Sequence, residues 1–149
     1  METIGRYMTR IHRLCDANFA AAEAAITSGR WEQSAISFEC FCRAVEHHFA
    51  AEEGVLFPAF EEAVGGKAGP ANGMRDEHER MRGVIRAMAA SLRARDAGEY
   101  LGQSETLATF MQQHNVKEES MLYPMIEQVL AQESSTALYA MRLLRHLQG

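Results

Sequence analysis

An eleven-residue motif that occurs twice constrains the fold of this chain more than any other feature of its sequence. His48–Pro58 reads HFAAEEGVLFP, and His114–Pro124, 66 residues later, reads HNVKEESMLYP. A lone histidine stands 36 residues before each motif, at His12 and at His78. Self-similarity at one offset indicates a duplicated structural unit. Each half of the chain therefore supplies two histidines and a glutamate at the same relative positions.

Length and composition restrict the class of protein. The chain has 149 residues, enough for one domain with a substantial core. Its net charge of −5, without any basic run, argues against nucleic acid or an anionic membrane surface as a partner. No apolar run is long enough to cross a bilayer. The three cysteines include no CxxC pair and no apolar leader opens the chain, so we expect free thiols in a reducing cytoplasm.

The secondary structure predicted from the sequence is entirely helical. Ala, Glu, Met and Leu are abundant, and apolar residues recur at steps of three and four without strand-like alternation. We predict a first helix over about Thr3–Ser28 and a second from Trp31 to about Val64. Pro58 lies inside the second helix and should kink it or end its regular part.

The second half repeats this plan. Its predicted boundaries are a loop over Gly65–Gly73, a helix from about Asn72–Met74 to Asp96–Gly98, a helix ending near Gln132, and a fifth helix from Ser134 or Ser135. One side of the fifth helix carries Leu138, Met141, Leu144 and Leu147. The prediction is one domain, residues 1–149, with repeats over about 4–64 and 70–132. It is an up-down-up-down four-helix bundle with a short additional C-terminal helix over about 134–148.

The apolar stripes of the long helices contain the motif's histidines and glutamates. The stripe of the second helix includes Val45, His48, Glu52, Val55 and Ala59, and that of the fourth helix Leu107, Met111, His114, Glu118, Met121 and Met125. Because His12 and His48 lie at similar distances from the turn at Gly29, antiparallel helices would bring them level. The same holds in the second half. Four histidines and two glutamates are thus predicted to meet in one layer of the core.

This predicted cluster favours a metal site over a purely structural role. A histidine and a glutamate four residues apart lie on one helix face and point to one place. An unpaired buried charge costs several kcal/mol, whereas a domain is stable by only about 5 to 15 kcal/mol. Metal binding removes that cost for all six groups. The candidate ligands are His12, His48, Glu52, His78, His114 and Glu118.

The donor atoms indicate which metals would suit such a site. Four imidazoles and two carboxylates suit two ions, each bound by two histidines and bridged by the glutamates. Mixed nitrogen and oxygen donors without a thiolate favour iron, with manganese or zinc as alternatives.

The doubled HxxxEExxL[FY]P motif, with a lone histidine 36 residues upstream, resembles the hemerythrin-like family with the HHE cation-binding domain. The resemblance covers about Ile4–Gln132. It implies a four-helix bundle around an oxo- or hydroxo-bridged di-iron centre held by the six candidate ligands. Oxygen-carrying members have a further histidine where this chain has Arg82, and an aspartate one residue after the position of Glu118. Four histidines with two glutamates are more similar to the branch linked to nitric oxide stress and iron–sulfur centre repair.

The resemblance leaves three functions open. The first is a protein that binds O2, nitric oxide or peroxide for sensing, scavenging or stress response. The second is a di-iron redox enzyme or iron donor that reduces nitric oxide or peroxide or repairs iron–sulfur centres. The third is a structural or regulatory metal-binding module. The expected partner is a small diatomic or peroxide ligand, and not nucleic acid or a membrane.

Several residues close to the candidate ligands have two interpretations each. Glu53 and Glu119 are either acceptors behind the histidines or solvated side chains. Asp16 and Arg82 follow the lone histidines by four residues, and either pair over the site or form an exposed flank.

Other neighbours are interpreted first as structural residues. Cys15 lies one turn from His12 and is interpreted as inert packing, with a ligand or redox role as the alternative. His47 and His146 have no counterpart in the repeat, so we predict that both are surface residues. The methionines of the third and fourth helices are predicted to fill the core.

Overall fold

The computed structural model describes residues 1–66 and 69–148, and every regular element in these residues is helical. The helices are α1 (Ile4–Thr27), α2 (Trp31–Ala51), α3 (Phe57–Val64), α4 (Pro70–Arg93), α5 (Ala97–Lys117), α6 (Tyr123–Val129) and α7 (Ser134–Gln148). Two π-helical segments, π1 (Glu52–Leu56) and π2 (Glu118–Leu122), join α2 to α3 and α5 to α6. The predicted all-α fold class is confirmed. From α1 to π1, each element of the first half recurs 66 residues later.

Local sequence accounts for where the long helices begin and turn. The side chain of Thr3 caps α1 by accepting the backbone N–H of Arg6 at 3.1 Å, and Asp96 caps α5 in the same way. The turn between α1 and α2 needs a left-handed residue, and Gly29 provides it with a φ of 71°. The equivalent position in the second half is Arg95, with a φ of 53°.

The π segments lie directly before the two prolines of the motif. In π1 the N–H of Phe57 bonds to the carbonyl of Glu52, five residues back, and π2 contains the equivalent bond. Pro58 and Pro124 follow at once. A proline within an α-helix has no N–H to donate, and its ring clashes with the carbonyl four residues earlier. The wider π turn accommodates the ring, so the helix continues. Its regular part ends at Ala51, earlier than predicted.

Each π segment shifts the buried face of the helix that follows it. The predicted stripes continued through Val55 and Ala59, which are only half-buried, and through Met121 and Met125, which are 45% and 38% exposed. The side chains that the core contains instead are Leu56, Phe57, Phe60, Leu122, Tyr123 and Ile126. A π turn holds one more residue than an α turn, so core contacts slip by one position. The predicted stripes are therefore wrong beyond the motif glutamates.

Two predicted boundaries need correction. The loop predicted over Gly65–Gly73 is shorter, because Pro70 begins α4, where a proline in the first turn loses no hydrogen bond. Lys67 and Ala68 of that loop lie outside the described residues. Helix α6 ends at Val129, and a turn leads to Ser134, where α7 begins as predicted.

The most extensive helix packing is of α1 against α2 and of α4 against α5. Four methionines of the second half, Met74, Met81, Met88 and Met111, are buried as predicted. Helix α7 covers one flank, where it contacts α1, α2 and π1. It buries Leu138 and Met141, whereas Leu147, predicted on the same side, is 77% exposed.

In residues 1–66 and 69–148, none of the helices has both the length and the apolarity that a membrane crossing requires.

Candidate metal centre

All six candidate ligands converge in the interior, and each is at most 2% exposed. One potential ligand atom from each of His48, Glu52, His78, His114 and Glu118 lies within 4.8 Å of the others. His12 joins this cluster at one end. Its Nε2 lies 3.2 Å from Nε2 of His48 and 3.1 Å from Oε1 of Glu118.

The two glutamates connect the histidines of the two halves. Oε1 of Glu52 lies 3.0 Å from Nε2 of His48 and 2.9 Å from Nε2 of His78. Oε1 of Glu118 lies 3.1 Å from Nε2 of each of His12, His48 and His114. Because both glutamates begin a π segment, the helical turn that accommodates the motif proline starts at the centre itself.

Several of these atoms are close together without being hydrogen-bonded. Within the described part of the chain, Oε1 of Glu52, Nε2 of His78, Nε2 of His114 and Oε2 of Glu118 are buried and have no hydrogen-bond partner. Neighbouring ligands of a metal ion with bonds of about 2.0 to 2.2 Å are separated by about 3 Å. The distances in the cluster have this size. The donors thus fit a metal ion better than they fit one another.

Carboxylates behind three of the histidines fix the orientation of the rings. The contacts are Nδ1 of His12 with Glu119 at 2.7 Å, Nδ1 of His78 with Glu53 at 2.6 Å, and Nδ1 of His114 with Glu77 at 2.8 Å. A proton held on Nδ1 by such an acceptor leaves Nε2 with a free lone pair, as a metal ligand requires. Glu53 and Glu119 are therefore acceptors behind the histidines, and each supports the lone histidine of the other half.

His48 lacks such a partner. Its Nδ1 is buried and makes no hydrogen bond to any residue that the structure describes. The acceptor for His114 is Glu77, and the equivalent residue in the first half is Ile11. Glu77 could not be found from the repeat, because the repeat places an apolar residue at its counterpart.

The carboxylates control the charge of the cluster. Burial would lower the pKa of His48, but Glu52 and Glu118 outweigh it and raise this pKa to about 10. Burial would raise the pKa of Glu118, but its close contacts with Glu52 and with the surrounding imidazoles hold this pKa well below its usual range. The cluster therefore binds positive charge strongly, as protons or as a metal ion.

A tyrosine hydroxyl enters the cluster from one side. Tyr123 is buried, and its Oη donates to Oε2 of Glu52 at 2.7 Å. The same oxygen lies 3.0 Å from Oε1 of Glu118 and 3.1 Å from Nε2 of His12. Sequence reasoning missed this residue, although one signal was available. Of the paired motif positions, this is the one where an apolar Phe57 becomes a hydroxyl-bearing Tyr123.

A stacked aromatic ring and a guanidinium cover His78. The ring of Phe49 stacks on His78 with centroids 4.0 Å apart, and the guanidinium of Arg82 lies 4.8 Å from the Phe49 centroid. Arg82 also binds both oxygens of Glu53, at 3.0 and 3.1 Å. Burial would raise the pKa of Glu53, but the bonds from His78 and Arg82 hold it at about 2. Arg82 thus supports a histidine and does not pair with Asp16.

The equivalent cover over His12 lacks both the stacked ring and the guanidinium. Asn115 stands where the other half has Phe49, and the exposed Asp16 stands where it has Arg82. The pKa of Asp16 is raised by burial and by the charge of Glu119, although His12 partly offsets this. A surface cleft of about 430 Å³ lies on this side, lined by Asp16, Phe19, Met111, Asn115 and Glu119 among others. The cover of the centre is therefore thinner over His12 than over His78.

Removing the guanidinium of Arg82, which binds Glu53, should make the folded protein less stable in acid. A carboxyl with a lowered pKa stabilises the fold above its unfolded pKa of about 4.5, and this stability is lost as the pH falls towards 2. In Arg82→Ala the pKa of Glu53 rises, so the loss begins at a higher pH. We expect a loss of about 1 kcal/mol near neutral pH, since both side chains are partly exposed. Denaturant unfolding of metal-free protein between pH 3 and 7 measures this, with the exposed Arg80→Ala as control. Identical curves for Arg82→Ala and wild type would contradict it.

Two remaining predictions concern residues outside the cluster. His47 is not a surface residue: it is 6% exposed, and its Nε2 lies 2.9 Å from Oη of Tyr7. The reason is that α7 packs against α1 and α2. Arg142 of α7 covers the Tyr7 ring at 5.8 Å, and the prediction from the sequence did not place α7 here. His146 is exposed as predicted. Cys15 is buried, and burial and Asp16 raise its pKa to about 12, which favours inert packing.

Comparison with known families agrees with this geometry. A sequence model of the hemerythrin HHE cation binding domain matches residues 3–126, which include all six converging side chains and both π segments. Searches of curated proteins and of solved structures give no match.

Proposed function

The chain belongs to the hemerythrin family, and from this premise we propose that it is a non-haem di-iron protein that binds O2, nitric oxide or peroxide. The proposed ligands are His12, His48, Glu52, His78, His114 and Glu118. The observation that carries the proposal is the convergence of buried nitrogen and oxygen atoms that lack hydrogen-bond partners in the described chain. Iron supplies open coordination positions at which such ligands bind.

The protein's own residues would prepare the centre for this chemistry. Glu52 and Glu118 each contact histidines of both halves, and in this proposal they would be shared by two ions. Glu53, Glu77 and Glu119 would keep three imidazoles in the metal-binding tautomer. The burial of the whole cluster would exclude bulk water, which favours binding of a small ligand over exchange with solvent.

We also propose that the four long helices follow an up-down-up-down order and that the protein is cytoplasmic. The short connections from α1 to α2 and from α4 to α5 favour antiparallel neighbours, and hence the up-down-up-down order. A reducing cytoplasm is consistent with three free cysteines in the described chain.

Titration of the iron-loaded protein with gases tests the proposed function. Anaerobic protein should show an optical change with nitric oxide, O2 or peroxide that reverses when the ligand is removed. Steady consumption of nitric oxide or peroxide in the presence of a reductant would instead establish a redox enzyme. A spectrum unaffected by all three ligands would leave a structural metal module.

The ligand should reach the centre through the thinner cover over His12. Asn115→Phe restores the ring that the other half has at Phe49 and should close this path. A closed path raises one barrier for association and dissociation alike. We expect both rates to fall about tenfold, an added barrier of about 1.4 kcal/mol, with no change in Kd.

Stopped-flow measurement with nitric oxide distinguishes this from other effects. Gln113→Phe is the matched control, because Gln113 is exposed on the same helix but does not line the cleft. Unchanged rates in Asn115→Phe would show that the ligand enters elsewhere. A changed Kd would show that Asn115 contacts the bound ligand.

A further inference from the structure

The two halves of the centre differ at one aromatic position that faces the metal-binding atoms. Phe57 and Tyr123 are equivalent in the repeat. The Phe57 ring lies 5.9 Å from that of His78, and the Tyr123 ring lies 5.7 Å from that of His12. Each π segment thus turns one aromatic ring towards the lone histidine of the other half. Only the ring beside His12 carries an oxygen.

The oxygen of Tyr123 lies among atoms of the proposed metal centre. Oη of Tyr123 has three neighbours at 2.7, 3.0 and 3.1 Å, which are atoms of Glu52, Glu118 and His12. All three residues are proposed ligands. The separation of about 3 Å is the one expected between adjacent donors on the same ion.

The number of contacts points to the same role. A phenol has one proton to donate, so it can donate to only one of these three neighbours. Nδ1 of His12 faces Glu119 at 2.7 Å, so Nε2 is the ring atom that remains to face the cluster. A cation at this point would be shared by all the oxygen and nitrogen atoms around it.

We propose that Tyr123 is a further metal ligand, bound through its phenolate oxygen to the metal position beside His12 and His48. The position beside His78 and His114 has no such donor, because Phe57 occupies the equivalent place. Binding exchanges the phenolic proton, which is released to solvent, for the bond to the metal, and no electron is transferred. The inference rests on the proposed metal centre and makes its two metal positions chemically unequal.

Optical and vibrational spectra of the iron(III)-loaded protein test this. Wild type should show a visible phenolate-to-iron charge-transfer band with resonance-enhanced tyrosinate vibrations. Tyr123→Phe should lose both, while it keeps iron at the other position. Phe57→Tyr is the matched control, because it places a hydroxyl at the equivalent point and should add a second band.

The outcomes separate this inference from the proposed function. Two irons per wild-type chain without tyrosinate signals would overturn the role of Tyr123 and leave the metal centre standing. The same band in Tyr123→Phe would assign it to another tyrosine and overturn the role as well. A wild-type chain that binds no iron would refute the proposed function, and the Tyr123 ligand with it. The vibrational measurement on wild type decides the question even if a variant does not fold.

Discussion

Glu118→Ala is expected to reduce the metal content from about two ions per chain to well below one. The reason is the position of Oε1 of Glu118, which lies 3.1 Å from three imidazole nitrogens and thereby connects both ends of the cluster. Its removal takes a donor from both proposed metal positions. Elemental analysis after desalting measures the effect. Glu105→Ala is the matched control, because Glu105 is exposed on the same helix.

The contrast with the second glutamate makes this prediction more specific. Glu52 contacts two of the imidazoles and not three, so Glu52→Ala should lower the content below two ions but less severely. Glu119→Ala removes only the acceptor behind His12 and should weaken metal binding about 10- to 100-fold without abolishing it. Full occupancy in Glu118→Ala would remove this residue from the set of ligands.

Removal of the metal is expected to lower the midpoint of thermal unfolding by about 10 °C or more. A metal present at about a thousand times its Kd stabilises the folded state by about 4 kcal/mol. In a chain of this length, 1 kcal/mol corresponds to about 2 to 4 °C. The loss follows because the converging groups return to mutual repulsion when the cation leaves. Thermal unfolding with and without a chelator measures the shift.

The Glu118→Ala variant provides the control for this experiment. If the chelator acts through the centre, it should not shift the midpoint of a variant that binds no metal there. Equal midpoints for metal-loaded and metal-free wild type would show that the centre contributes nothing to stability. An equal shift in the variant would place the stabilising metal at another site.

The fold class and the convergence of six side chains could be predicted because the repeat places them all. His48 and His114 have equivalents 66 residues apart, and so do the glutamates four residues after them. Chance does not easily produce two such sets on the core face of helices. The metal bound and the ligand recognised do not follow from this pattern, because several metals accept the same donors.

The errors arose where a local irregularity changed the helical phase. Met121 and Met125 continue the stripe of the fourth helix if that helix is a regular α-helix, but π2 shifts the buried face by one residue. This shift also turns Tyr123 towards the centre. His47 was placed on the surface because nothing in the sequence shows where α7 packs.

The departures from the repeat proved as informative as the repeat itself. Tyr123 replaces a phenylalanine, Asn115 replaces another, and Glu77 replaces an isoleucine relative to the other half. These substitutions supply the added hydroxyl, the thinner cover and the unequal support of the histidines. Their meaning depended on contacts between helices, which sequence spacing alone does not provide.

The most direct test of the account is metal analysis combined with an optical spectrum of protein purified without chelators. We expect about two irons per chain, with near-ultraviolet oxo-to-iron bands that change on addition of O2, nitric oxide or peroxide. Zinc or no metal, with a spectrum that ignores all three ligands, would contradict it.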